Sequence, residues 1–191
     1  MYEIGDENIQ YAIELFFDKE TEEKLFELAN KVAEAKLSTK YLEWKTRPHV
    51  TLACFNDVDE GKCIERLKEF AATHSAVPAN MDSVGMFNDT KVVFISPTMN
   101  RAMFRFHEEL HECMKEFDTT GWNWYCPDDW VPHCAMVLAG EDGEEAFYKA
   151  SDLVLREYKK LYGQFTRVGL VKITFPVEEI FTVDLGALKE R

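Results

Sequence analysis

The spacing of apolar positions changes repeatedly along this chain, and each change marks an element. Gln10 to Phe17 (QYAIELFF) is almost unbroken in apolar and aromatic residues and stops at a charged cluster, which predicts a strand. Leu25, Leu28, Ala29 and Val32 then recur at helical spacing behind a Thr21 cap with acidic neighbours. Past a basic and aromatic connection, Lys40 to Arg47, a second strand is predicted from His49 to Phe55. Ile64, Leu67, Phe70 and Ala71 mark one face of the next helix, with Asp59 near its start. Val77 to Phe87 can then supply a closing strand before the turn Asn88-Asp89-Thr90.

The same order starts again after that turn. Lys91 to Ser96 (KVVFIS) is strand-like, and Arg101 to Phe117 carries Met103, Phe106, Leu110, Cys113 and Phe117 as a helical stripe. Pro132 to Leu138 is a further strand, and Glu144 to Leu161 a fourth helix. Gly163 to Phe175 and Glu178 to Leu185 can pair as a hairpin across Pro176. Two segments, approximately 8–88 and 89–186, thus repeat a strand-helix-strand-helix-strand unit within a single domain, 1–191.

Inside each segment a histidine follows a proline and opens a short apolar run: Arg47-Pro48-His49-Val50-Thr51-Leu52 and Val131-Pro132-His133-Cys134-Ala135-Met136. His49 lies 39 residues after Gln10, and His133 lies 42 after Lys91. Side chains alternate along a strand, so Thr51 should stand beside His49 and Ala135 beside His133. Two copies packed about a pseudo-twofold axis would bring the two imidazoles to one cleft, each on a central strand. An unperturbed pKa near 6.5 allows one imidazole to be neutral and the other protonated, the equipment for paired acid and base chemistry.

Composition narrows what such a site can act on. Twenty-two basic and 35 acidic residues give a net charge of -13, which argues against a protein that grips long nucleic acid by its phosphates. Any RNA contact should be local, at an end or a nucleotide. No apolar run approaches the roughly 20 residues of a membrane span, and Met1 to Asp6 lacks the basic start of a leader. Five cysteines, odd in number and without a C-x-x-C pair, suit reduced thiols in a cytoplasm, and a monomer is expected.

His49-Val50-Thr51-Leu52 resembles the H-x-T-hydrophobic motif of the 2H phosphoesterases, also called 2′-5′ RNA ligase-like proteins. His133-Cys134-Ala135-Met136 falls where their second copy belongs, and its approach, Tyr125-Cys126-Pro127-Asp128-Asp129-Trp130-Val131-Pro132, is similar as well. The resemblance implies a bilobal α+β fold, with antiparallel sheets lining a central groove and helices outside. It implies cleavage, or reversible formation, of ribose phosphodiesters with a 2′ linkage or a cyclic phosphate, without metal or other cofactor. His49 and His133 would exchange protons with the attacking and departing oxygens, and Thr51 would donate to a phosphate oxygen. The partner would be a small nucleotide or an RNA end.

Ala135 departs from that pattern, since it stands where a second hydroxyl belongs. A backbone amide or Arg47 is a candidate replacement for the phosphate contact. A non-catalytic module that binds a nucleotide or RNA end is the alternative reading. Tyr125 and Trp130, within a loop that also holds Trp122 and Trp124, are candidates for stacking on a base, and Tyr41, Trp44 and Lys45 for the opposite rim. One motif competes: His107-Glu108-Glu109-Leu110-His111 fits H-E-x-x-H and places two imidazoles on one helix face, as a zinc hydrolase requires. The longer pattern fails at Met114 and Phe117, and a structural role is expected for both histidines. His74, at the end of the second helix, is expected to act as a C-terminal cap.

Overall fold

The apolar runs become strands β1 (Gln10–Phe17), β2 (His49–Phe55), β3 (Val77–Phe87), β4 (Val92–Pro97), β5 (Cys134–Leu138), β6 (Leu161–Ile173) and β7 (Glu178–Asp184). The helically spaced stretches become α1 (Lys19–Glu34), α3 (Glu60–Thr73), α4 (Arg101–Cys113) and α5 (Glu144–Glu157), and one turn of helix, α2 (Lys40–Glu43), fills the basic and aromatic connection. This computed structural model describes residues 10–138 and 142–188. Residues 1–9, 139–141 and 189–191 lie outside the description, and with them the opening Met1 to Asp6 and the first two positions of the expected first segment.

The fold is α+β, built on one antiparallel seven-stranded sheet. Its strand order is β2-β1-β6-β3-β4-β5, with β7 on β6. The order is unchanged when β1, β2 and β3 are exchanged with β4, β5 and β6. Each half nevertheless draws on both sequence segments: β3 ends the first segment but pairs with β4, and β6, the third strand of the second, lies along β1. The long β6 joins the halves, pairing with β3 over Leu161–Phe165 and with β1 over Phe165–Ile173. The expected hairpin of β6 and β7 forms, across the cis Phe175–Pro176 peptide.

Alternation along β1 separates two faces. Ile13, Leu15 and Phe17 join the main core with Leu25, Leu67, Phe106 and Phe147 of the four long helices, whereas Ala12 and Phe16 join a small cluster with Cys54, Trp122 and Val171. Glu14, between Ala12 and Phe16, belongs by alternation to the face away from the four long helices. The two end strands of the sheet, β2 and β5, come into contact, so the sheet curls upon itself. This is why a strand at the end of the order is as buried as a central one.

Several boundaries differ from expectation. Thr21 does not cap α1: Asp18 does, accepting from Thr21 N at 3.1 Å and Thr21 Oγ1 at 2.8 Å. Asp59, expected only near the start of α3, caps it, and His74 closes it by donating from Nδ1 to Phe70 O at 2.7 Å. The helix expected to reach Phe117 ends at Cys113, where Met114 turns inward and is buried. The one expected to reach Leu161 ends at Glu157, because Leu161 is needed opposite Met81 in the sheet.

Candidate active site

Each proline biases the residue before it to an extended backbone, and each following histidine turns its ring back on the carbonyl two residues earlier. His49 Nδ1 donates to Arg47 O at 2.6 Å, and His133 Nδ1 donates to Val131 O at 2.7 Å. The same bond therefore fixes the same tautomer at both positions and directs Nε2 elsewhere. His49 is the first residue of β2, whereas His133 sits just before β5 begins, and neither strand is central in the sheet order.

The curl of the sheet brings the two segments together. The backbone N–H of His49 bonds the Cys134 sulfur, and the rings are near enough for the charge of His49 to act on His133. Burial lowers the pKa of both imidazoles, for His133 with a further decrease from His49 and for both against the pull of their backbone carbonyls.

The two motif strands share an irregularity. Pairing of β1 with β2 passes from Ile13↔Ala53 to Glu14↔Thr51 and skips Leu52; pairing of β4 with β5 passes from Val93↔Val137 to Phe94↔Ala135 and skips Met136. Such a bulge re-aims side chains, and here Leu52 with Ala53, and Met136 with Val137, all join the main core. The rows then correspond across three strands: Thr51, Glu14 and Gly169 on one side, Ala135, Phe94 and Gly85 on the other. A Cβ at Gly85 would lie 2.4 Å from the Phe94 ring, so the glycine makes room for that ring. Phe94 in turn lies 5.3 Å from His133, and Phe87 meets the same imidazole edge-on at 4.9 Å.

H-E-x-x-H serves the first bulge. His107 and His111 both donate from Nε2 to the Leu52 carbonyl, at 2.8 and 3.0 Å, which supplies the skipped residue with partners. Trp130 lies flat on His107 at 3.7 Å and donates to the neighbouring Thr51 carbonyl at 3.0 Å. Trp130 is thus a strut, 8 % exposed, and Tyr41 is buried at 3 %, so neither presents an open ring for stacking. Trp44 and Tyr125 are partly exposed; Trp44 packs on Phe175 at 4.4 Å, and Tyr125 bonds the Cys54 thiol. Trp124, in the same loop as Tyr125, is 68 % exposed.

Arg47 is held away from the phosphate role suggested for it. Its guanidinium makes a two-pronged contact with Glu22, at 2.7 and 2.8 Å, a third contact with Glu179 at 3.3 Å, and stacks over Phe16. Thr51 Oγ1 has no bonded partner among the described residues. The residue that pattern reading missed is Glu14. Its carboxyl is buried within 3.3 Å of His49 Nε2, and burial together with Glu179 pushes it up to about 8, against the opposing pull of Arg47. An acid inside the apolar run QYAIELFF was the one available signal.

Comparison with known proteins agrees with the fold. E. coli LigT in its apo form superposes with a TM-score of 0.60 at 13% identity, over 95% of this chain and 99% of that one. TT0787 of Thermus thermophilus superposes at 0.61 and 13%, over 94% and 100%. These likenesses concern the fold. No curated protein matches the chain in sequence. The model of the 2′-5′ RNA ligase superfamily, however, matches residues 21–180, a span that holds both Pro-His segments and most of the sheet. The chain belongs to that superfamily, the 2H phosphoesterases.

Proposed function

We propose that this protein is a metal-independent phosphodiesterase acting on 2′,3′-cyclic phosphates or on 2′-5′-linked ribonucleotide or RNA ends. The observation that carries the proposal is the repeated histidine geometry, in which two Pro-His segments with the same Nδ1 bond meet where the sheet curls. One imidazole takes the proton of the attacking water or hydroxyl, the other protonates the departing ribose oxygen, and Thr51 Oγ1 donates to a non-bridging phosphate oxygen. Trp44 and Tyr125 are the partly exposed rings available to a base. Membership of a phosphoesterase superfamily supports the reaction class, and E. coli LigT has been crystallised with 3′-AMP, a ligand of the size in question.

The test is turnover of a 2′,3′-cyclic nucleotide and of a 2′-5′-linked dinucleotide. His49→Ala and His133→Ala should each abolish it with the fold intact, and EDTA should leave the rate unchanged. Ala135 favours one second reading, a nucleotide-binding module without chemistry, which predicts binding of the product nucleotide without turnover of either substrate. Retained activity in either alanine variant would remove the paired-histidine mechanism.

A further inference from the structure

The two imidazoles stand at corresponding positions, each two residues before the paired Thr51 or Ala135, but meet different neighbours. Opposite Thr51 the adjoining strand carries Glu14, and opposite Ala135 it carries Phe94. His49 thus has a buried carboxyl oxygen 3.3 Å from Nε2, whereas His133 is flanked by the rings of Phe87 and Phe94. We propose that Glu14 is a positioning residue that keeps one proton between its carboxyl and His49 Nε2, assigning the acid role to His49 and the base role to His133. The inference rests on the phosphodiesterase reading and deepens it.

Geometry and burial both favour a single shared proton. His49 Nδ1 already donates to Arg47 O, so Nε2 is the nitrogen left to face Glu14, and burial disfavours either lone ion. A neutral imidazole with a protonated carboxyl, or an imidazolium with a carboxylate, places one proton on the pair in either form. The charged and titratable groups around Glu14 are Arg47 before β2, His49 and Cys54 on β2, Tyr41 on α2, Cys134 on β5 and Glu179 on β7. Arg47 pulls the Glu14 carboxyl down, but it is itself paired with Glu22 and Glu179, and burial outweighs that pull. His133 has no such store, and its burial keeps it neutral and able to accept.

Hydrolysis then balances without another participant. The water oxygen bonds phosphorus as His133 Nε2 takes its proton. The bond from phosphorus to the ribose oxygen breaks, its electron pair stays on that oxygen, and the oxygen takes the proton of His49 Nε2–H, which gives up its 3.3 Å contact with the Glu14 carboxylate as it is transferred. Exchange with solvent removes the proton from His133 and returns one to the pair.

The test reads protonation and rate separately. In the ligand-free parent, NMR titration of the Glu14 carboxyl carbon and the His49 ring nitrogens should show one proton leaving the pair near pH 8. In Glu14→Gln, His49 should release its proton below its ordinary value. The alkaline limb of kcat should then fall by at least about one pH unit, and kcat at pH 7.5 by about ten-fold or more, with KM little changed. Glu14→Asp, which keeps a carboxyl at shorter reach, should restore part of the limb. A pair that has lost its proton by pH 6.5 in the parent overturns the proposal, and needs no variant to fold. An alkaline limb that is unmoved in folded, active Glu14→Gln overturns it as well. If the parent turns over neither substrate, the phosphodiesterase reading fails, while the titration still decides whether Glu14 and His49 share a proton.

Discussion

Thr51 and Ala135 occupy equivalent rows, yet only one carries a hydroxyl. Restoring the second in Ala135→Thr should raise turnover of a cyclic nucleotide, by up to about 10²-fold where the new hydroxyl reaches a phosphoryl oxygen. Thr51→Ala should be the more damaging change, because it leaves neither motif with a hydroxyl; equal rates in Thr51→Ala and the parent would remove Thr51 from phosphate binding. A second prediction concerns His107, which burial and the nearby His111 push down to about 3. The unfolded chain takes up that proton near pH 6.5, so the stabilisation is fully present above 6.5 and is lost as pH falls from there through 3. His107→Gln keeps a donor for Leu52 and removes the titration. Its denaturation midpoint, compared with the parent's, should depend less steeply on pH across that window.

At the scale of elements, the start of α1 is anchored to β6 through Asp18. Its carboxylate caps the helix and accepts from Gln164 N at 2.7 Å, and although burial alone would raise it, these bonds hold it below the usual carboxylate range. The approach is close enough that a Cβ on Gly163 would fall 2.0 Å from Thr21 Oγ1. Gly163→Ala should therefore cost about 1–3 kcal/mol in denaturant unfolding, and Asp18→Ala about 1 kcal/mol, without altering a site on the other side of β1. Elements of this kind were legible from periodicity: β1, β2 and β3 lie where the pattern puts them, and Asp59 stands at the start of α3. The cap of α1 was misplaced by three residues, because Asp18 and Thr21 are both capping types and only the approach of β6 selects between them. The bulges at Leu52 and Met136 leave no local mark, since an apolar run looks the same with or without a skipped partner. For that reason the role of His107 and His111 was recognisable as structural while its object, one carbonyl in the first motif, was not.

For the whole molecule, periodicity gives a similar order of elements twice but not which strands pair. The paired histidines were visible as a repeated word; Glu14 was not, because its meaning comes from a strand 35 residues away in sequence. Nor did the pattern show that β3 and β6 change halves. The exchange predicts that the halves have no independent stability. A fragment ending at residue 88 should lack cooperative unfolding, since β1 would lose β6 and β3 would lose both its neighbours. The intact chain should melt in one transition followed alike by tryptophan fluorescence and circular dichroism; two separated transitions would contradict the exchange.

Because β6 is made after both β1 and β3, the strands of the two halves that it joins, the order of synthesis matters. When residue 138 leaves the ribosome, β1 has β2 on one edge and bare peptide groups on the other, and β3 with β4 and β5 forms a second sheet with an open edge of its own. Both edges wait for residues 161–173. Until then the nascent chain exposes two unpaired strands, a state prone to pairing with other chains, and the contacts that close it span most of the sequence and form slowly. A substitution that delays β6 should thus show itself as lost yield before it shows itself as lost stability.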